Sequence, residues 1–131
     1  MTAQPSARYR FGAAINCIDG RVQEPVANWL KMQYQLDFID VITEPGADGA
    51  LAARPEVAEQ IKAKLLVSVQ RHGSSVVALV GHFDCAAHPG SRDEHEEQIR
   101  RSLQAIRFWN LPVTVVGLWV NERWEVEVVG A

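Results

Sequence analysis

The sequence predicts an α/β fold. The expected form is a single-domain doubly wound sheet, mostly parallel with strand order 2-1-3-4. An antiparallel C-terminal edge strand and helices on both faces complete it. Three observations point there. Short apolar runs alternate with stretches of helical period from Phe11 to Val120, the β-α-β pattern that builds parallel sheets. The run Val76–Val80 is apolar without alternation, as expected of a strand covered on both faces. The last stretch, Trp124–Val129, alternates large apolar and acidic residues, which suits an edge strand with one wet face.

Residues 1–8 are small and polar and are expected to form a flexible tail, leaving 9–131 as the one domain. Phe11–Ile18 is a small, apolar strand that stops at the Asp19-Gly20 turn signal. Pro25 stands where a first helical residue belongs, with Val26, Trp29 and Leu30 following at helical spacing. Phe38–Thr43 is the second strand, closed by the turn pairs Pro45-Gly46 and Asp48-Gly49. Pro55 opens another helix, whose buried stripe is Val57, Ile61, Leu65 and Val69 and whose stop is Gly73. After the strand Ser75–Gly81 comes a polar loop, 83–90. Ser91 and Glu94 have capping-box spacing, and Ile99, Leu103 and Ile106 form the buried stripe of a third helix. Val113–Val120 is the fourth strand, and Asn121–Arg123 turns the chain into the last.

At 131 residues the chain is long enough to bury a core without staples. Its hydrophobic fraction of 47% and net charge of −3 speak against disorder and against a nucleic-acid partner. No apolar run approaches membrane-spanning length, and no signal-peptide core opens the chain. Two cysteines, Cys17 and Cys85, cannot frame a secreted disulfide scaffold of this size, so a cytoplasmic setting is expected.

Ligands bind open α/β sheets at the carboxyl ends of strands, where the winding reverses. In a 2-1-3-4 sheet that point lies between the first and third strands. Cys17 closes the first; His82 and Cys85 follow the third. Two thiolates and an imidazole are one of the ligand sets of catalytic zinc sites, which leave a fourth position open. Asp19, from the same turn as Cys17, could reach the metal or a water on it, and Arg21 could hold that carboxylate in a bidentate pair. The plainer alternatives are two cysteines buried as small apolar residues, a disulfide, which a cytosolic setting disfavours, or a redox-sensing thiol pair, which leaves His82, Asp19 and Arg21 without a role.

Cys17-Ile18-Asp19-Gly20-Arg21, with Val80-Gly81-His82-Phe83-Asp84-Cys85 further on, resembles the β-class carbonic anhydrases. The resemblance implies a zinc enzyme of doubly wound fold, active as a homodimer or larger assembly, that interconverts carbon dioxide and bicarbonate. It makes Cys17, His82 and Cys85 the ligands of one zinc ion per chain and Asp19 with Arg21 the catalytic dyad. Zinc of this kind makes hydroxide available near neutral pH, and Asp19 would orient it. The alternatives are a zinc-binding protein without turnover, with Asp19 as fourth ligand, and a hydrolase of carbonyl sulfide or carbon disulfide. The chain departs from the usual pattern at Ala86-Ala87 and at Thr43-Glu44-Pro45-Gly46, and with 16 residues before Cys17 the longer helical arm of typical members is expected to be missing.

Other residues receive plainer readings. His88 is expected to be a solvated loop residue and His95 a surface one. Asp84 is expected to accept from a loop amide or from His82. His72 sits at a helix C-terminus, where the dipole favours it. Trp109, Trp119 and Trp124 are expected in the core or an interface.

Overall fold

The computed structural model describes residues 9–131, and the tail expected over 1–8 lies outside them. The chain runs β1 (Phe11–Asn16), α1 (Gly20–Tyr34), β2 (Phe38–Thr43), α2 (Ala47–Ala53), α3 (Pro55–His72), β3 (Val76–His82), α4 (Arg92–Phe108), β4 (Thr114–Val120) and β5 (Val126–Gly130). All five strands join one sheet of order β2-β1-β3-β4-β5. The first four are parallel and β5 is antiparallel to β4, as the pattern predicts.

Alternate residues of the central strands serve opposite faces. Val77 and Leu79 pack with Ile61 and Leu65 of α3 and Ile99, Leu103 and Ile106 of α4. Val76, Ala78 and Val80 pack with Val22, Val26 and Leu30 of α1. Every residue of β3 is buried, which is why its sequence shows no alternation. Each large aliphatic side chain so buried contributes about 1.5–3 kcal/mol.

Three boundaries differ from expectation. α1 begins at Gly20, five residues before Pro25. Asp19 starts it by accepting from the Arg21 amide at 2.9 Å, so the cap sets the start and leaves Pro25 inside the second turn, where it gives up the hydrogen bond to the Arg21 carbonyl and its ring crowds that group. The residues read as turns after β2 include a short helix, α2. Gly46, in the left-handed conformation (φ 61°), begins it, and the Asp48 side chain is engaged by His95 instead of its own backbone. The final strand starts at Val126, later than Trp124, because the Asn121 carboxamide accepts from the amides of Arg123 and Glu125 and lengthens the turn.

One feature of the ladders positions the site. The β1–β3 pairing ends at Ile15↔Leu79, whereas β3 stays paired with β4 as far as His82↔Val120. The sheet therefore parts between β1 and β3 at their carboxyl ends, at the reversal of winding.

Candidate metal centre

Cys17 lies just beyond β1, His82 is the last residue of β3, and Cys85 sits in the loop that follows. All three are buried, and their ligand atoms lie within 4.8 Å of one another. The two Sγ atoms are 3.9 Å apart and unbonded. Two sulfurs on one tetrahedral zinc, at the usual Zn–S length, stand about 3.8 Å apart. His82 supplies the sharpest sign. Its Nδ1 donates to the Phe83 carbonyl at 2.8 Å, which fixes the tautomer and leaves Nε2 with a bare lone pair. That Nε2 is buried and has no hydrogen-bond partner. A buried polar atom left so pays a desolvation cost that a metal would recover.

The sulfurs are provided for as well. Burial, reinforced by the neighbouring Cys17, pushes the Cys85 thiol up to about 11, against amide hydrogen bonds from His88 and Ala87 that favour the thiolate. The Gly46 amide donates to Cys17 Sγ at 3.4 Å. Gly46 is required there, since it adopts a left-handed φ and a Cβ would lie 2.7 Å from the Cβ of His88.

Asp19 is not one of the converging donors. Its carboxylate is held by Arg21, Nε to Oδ1 at 3.0 Å and Nη2 to Oδ2 at 2.7 Å. The Arg21 hydrogen bond is the main reason the acid falls to about 2. Arg21 also donates to Asp84, to Oδ2 at 3.3 Å and to the backbone carbonyl at 3.1 Å. Asp84 thus braces Arg21 and not His82, because the Phe83 carbonyl already takes the Nδ1 proton.

A second brace escaped sequence reasoning. Gln23 Nε2 donates to the carbonyls of Cys17 and Asp19 at 2.8 and 2.9 Å, and Asn16 donates to Gln23 Oε1. Only the placement of Gln23, one helical turn beyond Asp19, could have hinted at it. His95, expected on the surface, is buried: Nδ1 pairs with Asp48 Oδ2 at 2.6 Å and Nε2 donates to the His88 carbonyl at 3.0 Å. His88 is half-buried against His95 and Gln98. His72, away from this cluster, pairs with Asp40 at 2.6 Å and stacks on Phe11. Trp119 is buried in the core, as expected.

A protein family described as "putative carbonic anhydrase" matches residues 7–130 of this chain. The chain belongs to that family. The match takes in the whole sheet and every residue of the cluster. No curated protein matches the chain. As a member of the putative carbonic anhydrase family, it carries a buried Cys-His-Cys group that could hold a metal ion. No helix among the described residues is long and apolar enough to cross a membrane.

Proposed function

We propose that this chain is a zinc enzyme that reversibly hydrates carbon dioxide to bicarbonate. Residues 9–131 act as one β-carbonic-anhydrase-like domain, with Cys17, His82 and Cys85 holding one zinc ion. The observation that carries this reading is the bare, buried Nε2 of His82 set among two thiols. Two sulfurs and one imidazole nitrogen suit zinc and leave a tetrahedral position for substrate chemistry. When bound, the metal supplies Lewis acidity that lets water ionise near neutral pH.

The chain's own groups do the rest. Asp19, ionised at any ordinary pH, can only accept hydrogen bonds. It would accept a hydrogen bond from the attacking oxygen and so orient that oxygen's lone pair towards the substrate carbon. Arg21 keeps both carboxylate oxygens turned to itself, so the ion would be held by Cys17, His82 and Cys85 without Asp19. A cavity of about 450 Å³ opens beside Cys85, walled by Phe83, Pro89 and Trp119. The rest of its lining is polar, with Asp84, Ser91, Arg92 and Glu122, so a small substrate such as carbon dioxide would meet these apolar side chains beside charged ones.

A second copy of the chain is the partner we assign to the outer edge of β2, where Phe38 and Val41 are exposed on the sheet's edge strand. Two free thiols at the centre suit a reducing, cytoplasmic compartment.

Metal analysis followed by stopped-flow hydration of carbon dioxide, between about pH 6.5 and 9, tests the reading. About one zinc per chain with measurable turnover is expected. Zinc without turnover at any pH would reduce the protein to a metal-binding member of its family.

A further inference from the structure

Arg21 is gripped from a third side that neither the metal cluster nor the dyad explains. Its guanidinium carbon lies 4.4 Å from the centroid of the Trp124 ring. Trp124 stands in the turn between β4 and β5, far from Arg21 in sequence. The ring is itself set edge-on against Phe83, with centroids 6.5 Å apart and planes at 67°. Phe83 follows His82 directly, so the indole bridges the residue beside the metal cluster and the cation that holds Asp19.

The backbone at Trp124 is unusual. Four non-glycine residues among those described have positive φ: Gln35, Asp84, Asn110 and Trp124. Gln35 is the C-cap of α1, and Asn110 follows the end of α4, places where a left-handed residue is ordinary. Asp84 and Trp124 lie at no helix end, and both touch Arg21. A bulky aromatic residue adopts φ 60° only when its surroundings compel it. Here Asn121 does so: its carbonyl accepts from the Trp124 amide at 2.9 Å, and its side chain accepts from both flanking amides.

We propose that Trp124 is a positioning residue that fixes the plane of the Arg21 guanidinium and, through it, the Asp19 carboxylate. The hydrogen bonds to Asp19 and Asp84 fix Arg21 within its plane but resist tilting poorly. The Arg21 side chain is 45% exposed, and an ion pair so open to water holds a geometry weakly by itself. The indole covers one face of the cation and supplies the missing restraint. The turn that Asn121 closes brings that face to Arg21.

The role in turnover rests on the carbon dioxide reading above, but the grip on Arg21 can be tested without it. In the protein as isolated, the Arg21 Nε–H exchange rate with solvent is measured by ¹⁵N NMR for the wild type, Trp124→Phe and Trp124→Leu. Exchange should be slowest with tryptophan, intermediate with phenylalanine and faster by about threefold to fivefold with leucine, following the strength of the ring's attraction for a cation. If Trp124→Leu does not fold, the Trp–Phe pair decides, with about a twofold difference expected. Equal rates in the folded proteins would overturn the proposal, whatever the activity. In zinc-loaded protein, Trp124→Leu should lower kcat by about fivefold with KM and zinc content unchanged, and Trp124→Phe should restore most of it. A change in KM or zinc content alone would make Trp124 a packing residue. A wild type without hydratase activity would sink the catalytic reading and leave the exchange rates to decide the positioning role.

Discussion

His82 and His95 are equally hidden, each 1% exposed, yet they are spent differently. His95 uses both ring nitrogens within the protein, one on Asp48 and one on the His88 carbonyl. His82 uses one, on Phe83, and keeps the other bare between two cysteines. Burial of an imidazole is therefore no sign of a ligand site. An unspent nitrogen is. The first arrangement ties α2 to α4; the second holds a lone pair ready for something the chain does not itself supply.

Breaking each histidine's partnership should give opposite phenotypes. His82→Gln and Cys85→Ser should lower bound zinc from about one equivalent to under about a tenth, as read by metal analysis after gel filtration. Asp48→Ala should do the reverse, keeping zinc but costing about 3 kcal/mol in urea unfolding, because it strands a buried partner. Its structural reach includes Gly81, where a Cβ would stand 2.6 Å from Asp48 Oδ2.

Asp19→Asn sharpens the contrast within the site itself. It should retain zinc while kcat for carbon dioxide falls about a hundredfold, since an amide can donate where the carboxylate only accepts. Zinc loss equal to that of Cys85→Ser would instead make Asp19 a ligand.

The pair at His95 also predicts a pH dependence. Burial opposes its protonation, but the hydrogen bond and charge of Asp48 outweigh that, and its titration moves up from 6.5. A raised folded value means that the native state holds the proton more tightly than the unfolded chain. The resulting stabilisation is complete below about pH 6.5 and fades as pH rises through the folded value. Urea unfolding from about pH 6 to 9 should show this decline in the wild type and not in His95→Gln. The smallest effect belongs to His72 and Asp40, which meet at the same 2.6 Å but are 38% and 28% exposed. Asp40→Asn should cost less than about 1 kcal/mol by the same measurement.

How much of this was legible follows from the range over which each signal acts. The strand order and helix faces were readable because periodicity and turn residues act over a few positions, as at Pro55, Gly73 and the Ser91–Glu94 box. Cys17, His82 and Cys85 could be brought together because a switch point turns sequence order into spatial proximity. The Asp48–His95 pair could not, since its members stand 47 residues apart on two helices. A histidine among charges in a helix's first turn looks like surface until α2 is known to cover it. Nor could Trp124: nothing local distinguishes an indole in the core from one lying on a guanidinium.

The parting of β1 from β3 has one further consequence. A sheet transmits load through its cross-strand hydrogen bonds, and here that lacing stops at Ile15 and Leu79. Beyond that point, on the proposed reading, the two strands are joined through the side chains of Cys17, His82 and Cys85. The metal would act as a clasp at the open end of a slit. Its removal should loosen the amides at the strand ends while leaving those of the laced half untouched, a pattern that hydrogen exchange can map residue by residue.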